Sequence, residues 1–94
     1  MRPYELVFII HPDLEDNAVK ELIEQVKSWI TDSDGTVSNV DLWGKRKLAY
    51  PIRKQSEGQY VLIHAEMDPS VTAQMERNFR LTEPIMRFLI TSVD

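Results

Sequence analysis

The 94-residue chain carries 15 Asp and Glu against 11 Lys and Arg, a formal net charge of −4, with 43% apolar residues. That composition fits one soluble globular domain with a single hydrophobic core. Cysteine is absent, which excludes disulfides and thiolate chemistry and fits a cytoplasmic chain. No apolar run approaches the roughly 20 residues that span a bilayer, and residues 6–10 are too short for a leader peptide core. Residues 1–94 are therefore expected to form one complete, unprocessed domain.

Residues 4–10 read as a strand, with Tyr4, Leu6, Phe8 and Ile10 on one face and Glu5, Val7 and Ile9 on the other. Both faces are largely apolar, which predicts a central strand. A helix is predicted over Asp16–Thr31, where Val19, Leu22, Ile23, Val26 and Ile30 recur at helical spacing. Asp13 or Asp16 is its expected N-cap, and residues 32–35 end it with turn chemistry. A second strand is predicted from Thr36 through Leu42 and Gly44 to Pro51, with a bulge or a close backbone approach at Gly44. Residues 53–58 are polar and read as a turn or loop. Residues 59–67 form a third strand, placing Val61, Ile63, Ala65 and Met67 on one face and Tyr60, Leu62, His64 and Glu66 on the other. Asp68-Pro69 starts a second helix, running to Phe79 or Arg80, and residues 85–93 form the last strand.

The order β-α-β-β-α-β predicts an α+β, ferredoxin-like domain: a four-stranded antiparallel sheet with two helices on one face. Right-handed crossovers put the first and third strands at the centre. The face opposite the helices then presents Glu5, Val7, Ile9, Tyr60, Leu62, His64 and Glu66. An apolar patch of that kind marks a partner site. With one aromatic and two acids there, it suits protein better than stacked bases.

No residue pattern points to catalysis. His11 and His64 lack neighbours at metal-ligand spacing, the three glycines form no phosphate loop, and no serine sits in a nucleophile motif. No cofactor, metal or small-molecule substrate is expected.

Charge is uneven. Residues 1–41 hold nine acids and three bases, whereas residues 42–54 hold Lys45, Arg46, Lys47, Arg53 and Lys54 with no acid, beside Trp43 and Tyr50. A solvated edge protected from aggregation and a polyanion-binding segment fit that pattern equally well.

Three stretches carry a resemblance: residues 1–5 (Met-Arg-Pro-Tyr-Glu), residues 43–52 (Trp-Gly-Lys-Arg-Lys-Leu-Ala-Tyr-Pro-Ile) with Lys54, and residues 58–62 (Gly-Gln-Tyr-Val-Leu). Together they resemble the bacterial small-subunit ribosomal protein six family over essentially the whole chain. The resemblance implies the ferredoxin-like fold and a structural, non-catalytic, ribosome-associated role in the cytoplasm. It also implies binding to the central domain of 16S ribosomal RNA as a heterodimer with small-subunit ribosomal protein eighteen. Carried over by position, it implies RNA contacts at Arg2, Tyr4, Lys45, Arg46, Lys47, Tyr50 and Lys54, with Arg80 and Arg87 as further basic positions. Val7, Ile9, Tyr60, Leu62 and His64 are the expected partner surface. Pro3 and residues 82–84 (Thr-Glu-Pro) depart from the family pattern. The rival expectation is a ferredoxin-like regulatory or small-ligand-binding domain that self-associates through its sheet.

Overall fold

The computed structural model describes residues 1–93. Its elements are β1 (Arg2–Ile10), α1 (Asp16–Thr31), β2 (Thr36–Ile52), β3 (Gln55–Met67), a 3₁₀ turn (Pro69–Val71), α2 (Thr72–Leu81) and β4 (Ile85–Ser92). The strands form one antiparallel sheet in the order β2-β3-β1-β4, the predicted ferredoxin-like arrangement.

Alternation along β1 and β3 builds the core. Leu6, Phe8 and Ile10 face the same side as Val61 and Ile63, and all five are fully buried. Against them α1 lays Val19, Leu22, Ile23, Val26 and Ile30, and α2 lays Met75 and Phe79. Phe79 is the hub, 5.3 Å from Phe8, 5.4 Å from Trp29 and 5.1 Å from Phe88 between ring centroids. These offset and edge-on contacts suit the ring quadrupoles. Gln59 is buried among them, and its amide donates to the carbonyls of His11 and Leu14 at 3.1 Å, removing the penalty of an unpaired polar group.

Two local expectations are corrected. The N-cap of α1 is Glu15, with no side-chain hydrogen bond; Asp16 is already helical, and the Asp13 amide is turned back to donate to His11 Nδ1. The turn expected over residues 32–35 does end α1, and in it Asp34 takes the left-handed conformation (φ 65°), which a short polar side chain tolerates. Most consequential, residues 55–58 are not loop. β3 begins at Gln55, paired with Ile52, so that Arg53 and Lys54 alone make the turn. Both have positive φ, 50° and 64°, the geometry of a tight hairpin turn that Asn-Gly normally supplies.

The predicted bulge is present. Register shifts between Leu42 and Gly44, and Gly44 has φ 80°, a conformation glycine adopts without steric penalty. Gly58 serves a different need: a Cβ there would lie 2.3 Å from Ile9 Cγ2, so the close approach of β3 to the Ile9 side chain requires its absence.

Candidate nucleic-acid and partner interface

Among the described residues nothing covers the face of the sheet away from the helices. Cross-strand pairs Glu5–His64, Val7–Leu62 and Ile9–Tyr60 bring all five expected partner residues onto it, and β4 adds Leu89 opposite Val7 and Arg87 opposite Ile9. Val7, Tyr60, Leu62 and His64 are half-buried, Ile9 is buried, and Leu89 is 62% exposed. Leu89 was absent from the expected surface, although the alternation Arg87, Leu89, Thr91 against Phe88, Ile90 carries the signal. Glu5 Oε1 lies 3.6 Å from His64 Nε2, both side chains 41% exposed. In water a pair of that exposure contributes little.

Trp43 joins this face as well. Its ring stacks on Tyr60 with centroids 6.1 Å apart and planes 14° from parallel, and the Arg46 guanidinium lies 5.5 Å from the Trp43 centroid. Trp43 alternates with Leu42 onto the open side, the side of Asp41, to whose Oδ2 its Nε1–H donates at 3.2 Å. The bulge at Gly44 shifts the residues that follow, and so brings Arg46 to the same side. The open face therefore holds two stacked aromatics at its β2 edge.

Strand alternation divides the basic segment. Lys45 is opposite Gln59 and Lys47 opposite Glu57, on the helix side, while Arg46 is opposite Gly58 on the open side. The hairpin then runs on past the end of β1 and crosses to β4. Arg53 donates from Nη1 to the Glu83 carbonyl at 2.8 Å and from Nη2 to the Ile85 carbonyl at 3.2 Å. Tyr50 Oη accepts from Arg87 Nη1, with that guanidinium 5.5 Å from the Tyr50 ring centroid. Lys54 is exposed at the turn itself. Arg80, in the last turn of α2, lies 6.0 Å from the Phe88 centroid.

Seven cations thus gather around one end of the sheet: Lys45, Arg46, Lys47, Arg53, Lys54, Arg80 and Arg87. Arg2 and Tyr4 do not join them. They lie at the start of β1, opposite Met67 and Ala65, and eight residues at about 3.3 Å each put Arg2 about 26 Å from Ile10 along the strand. Tyr4 is 8% exposed within the core, so its ring is a packing element. Arg53 belongs to the basic segment but is not among the contacts that the resemblance implies, and only the hairpin's path reveals its position.

Among the described residues, no group of three His, Cys, Asp or Glu is placed to hold a metal ion, and no helix is long and apolar enough to cross a membrane. Asp68, at the start of the 3₁₀ turn, has its carboxyl held below the ordinary aspartate value, first by the backbone N–H of Ser70 and then by the Ser70 hydroxyl.

The fold and this surface define a class: a ferredoxin-like domain whose sheet leaves one face open beside a cationic end. The family model for ribosomal protein S6 matches residues 3–92. The small ribosomal subunit protein bS6 of Caldanaerobacter subterraneus subsp. tengcongensis is 46% identical over 94 residues, covering 100% of this chain and 99% of that one. Its counterpart in Clostridium perfringens is 49% identical over 90 residues, covering 96% and 95%. The crystal structure of 30S ribosomal protein S6 from Thermotoga maritima superposes with a TM-score of 0.92 at 34% identity, covering 97% of this chain and 86% of that one. The C-terminal domain of the Mycobacterium tuberculosis MgtC protein shares the fold alone, at 13% identity and a TM-score of 0.68.

The chain belongs to the ribosomal protein S6 family. It is a protein of the bacterial small ribosomal subunit, associated with the ribosome in the cytoplasm.

Proposed function

We propose that this chain is a structural, non-catalytic RNA-binding component of the small subunit, acting as one domain over residues 1–94. It binds the central domain of 16S ribosomal RNA as a heterodimer with ribosomal protein eighteen. The observation that carries the reading is the adjacency of the open face to the cationic end. Val7, Leu62 and Leu89 offer apolar area that association removes from water. Beside it, Arg46 on the open side and Lys45, Lys47 and Lys54 around the hairpin meet phosphates. Arg2 makes a separate contact at the far end of β1. Tyr4 contributes by fixing that strand end. Tyr50 contributes by holding Arg87 through its hydroxyl and ring.

Phosphate contacts position a protein without reading sequence. The chain's own net charge of −4 opposes long-range attraction to RNA. Selectivity therefore comes from RNA shape and from the partner's residues, and the isolated chain binds weakly. Charge reversal at Arg46→Glu with Lys47→Glu tests this. Binding of the heterodimer to a central-domain RNA fragment should weaken by at least about tenfold, since charge-assisted contacts are worth about 1.5–3 kcal/mol each. The thermal midpoint should barely move, because both side chains are exposed. Unchanged RNA affinity would remove the basic strand from the mechanism.

A further inference from the structure

Arginines from three separate elements converge at the free edge of β4, and we propose that they seat a phosphodiester group of the RNA, as a contact distinct from residues 45–47. This deepens the RNA role proposed above and rests on it. Arg53 arrives from the β2–β3 turn, Arg80 from the end of α2 and Arg87 from β4. With Ile85, Met86 and Phe88 they line a depression of about 240 Å³.

The way these side chains are held is the argument. Arg53 is fixed by two backbone carbonyls, and Arg87 by a tyrosine hydroxyl and ring. Neutral partners order a guanidinium without cancelling its charge. Arg80 lies over Phe88, and Glu76, at 3.7 Å from its Nη2, is the one carboxylate at ion-pair distance from any of the three among the described residues. That pair is solvent-exposed, 69% and 47%, so a phosphate displaces it at little loss.

A guanidinium has five N–H donors. Arg53 and Arg87 therefore keep donors for a ligand after their internal bonds are made. The planar forks match phosphate oxygens in pairs. β4 is also an edge strand, so alternate backbone N–H groups along it are unpaired.

Ordering matters here because the chain is acidic overall. Loose lysines on such a surface gain little from a screened field. Guanidiniums already fixed in place lose less freedom on binding and hold the phosphate at short range.

The test is a salt titration of the heterodimer with ribosomal protein eighteen on a 16S central-domain fragment. Wild type is compared with an Arg80→Gln, Arg87→Gln double variant; Arg53 is retained because it also anchors the turn. The double variant is expected to lower affinity about tenfold and to make the slope of log affinity against log salt shallower by about one unit. Arg80→Gln alone, at a residue of α2 off the open face, should leave affinity for ribosomal protein eighteen without RNA unchanged. Lysine at both positions, which keeps charge but not the fork, should restore the slope and only part of the affinity. An unchanged slope and affinity, with wild type binding normally, would overturn this inference and leave the wider RNA role intact. Loss of heterodimer affinity with the RNA slope unchanged would also overturn it, by showing that the arginines meet a protein carboxylate. Failure of wild type to bind RNA would overturn the wider role and this contact with it.

Discussion

The two faces of the sheet are made by alternate residues of the same strands, yet they are held by different physics. Phe8 is fully buried against Phe79, while its neighbour Val7 is half-exposed opposite Leu62. The helix side is closed by the chain's own α1 and α2. Among the described residues nothing covers the open side, and it concentrates Val7, Leu62, Leu89 and the Trp43–Tyr60 stack. Folding stability therefore resides on one face, and the proposed association falls to the other. Substitutions one residue apart should separate the two properties.

The largest effect is expected at Phe8→Ala, which opens a cavity beside Phe79 and should remove about 3–5 kcal/mol of stability in denaturant titration. A loss below about 1 kcal/mol would mean that the helix side is not where stability resides. Across the sheet, Leu62→Glu should leave the denaturation midpoint nearly unchanged. Binding to ribosomal protein eighteen, read by calorimetry, should fall by about 2 kcal/mol, as for a central interface position. A variant that unfolds but still binds when folded would reverse the division of labour.

A smaller effect falls on the overhanging hairpin, which belongs to neither face. Arg53→Ala removes two hydrogen bonds, to the carbonyls of Glu83 and Ile85, and leaves the two-residue turn with its positive φ angles unsupported. About 1 kcal/mol of stability should be lost, and hydrogen exchange should accelerate at residues 50–56 but not in β1. Uniform acceleration would show that the turn is part of the global unit.

The smallest effect concerns Asp68. Its carboxyl titrates below the ordinary aspartate value in the folded chain. Its contribution is therefore complete above that range and is lost as pH falls through the lowered folded value. Asp68→Ala should flatten that acid limb of the stability profile and leave neutral-pH RNA binding unchanged.

Much of this architecture is legible in the residues. The alternation of residues 4–10, the helical spacing from Val19 to Ile30 and the Asp68-Pro69 start are local patterns with local causes. Topology and both sheet faces follow from them. What escapes sequence reading depends on geometry that no short pattern encodes. The turn at Arg53-Lys54 lacks the Asn-Gly that usually marks such a hairpin, and its strain is offset by bonds to residues thirty positions away. Arg46 reaches the open face, and Lys45 and Lys47 the helix side, only because the Gly44 bulge breaks the period of two. Tyr4 was placed on the core face by alternation and is found there, so an RNA contact at that position came from family resemblance rather than from pattern. The meeting of Arg53, Arg80 and Arg87 requires the hairpin to pass the end of β1, which follows from strand lengths and twist in three dimensions.

The most direct measurement is binding of this chain to a 16S central-domain fragment over a range of salt, with and without ribosomal protein eighteen. The expected result is tight, salt-sensitive binding only when the partner is present, because the open face and the cationic end act together. Equally tight binding by the isolated chain, or no binding with the partner present, would contradict a heterodimer that shares the recognition of RNA.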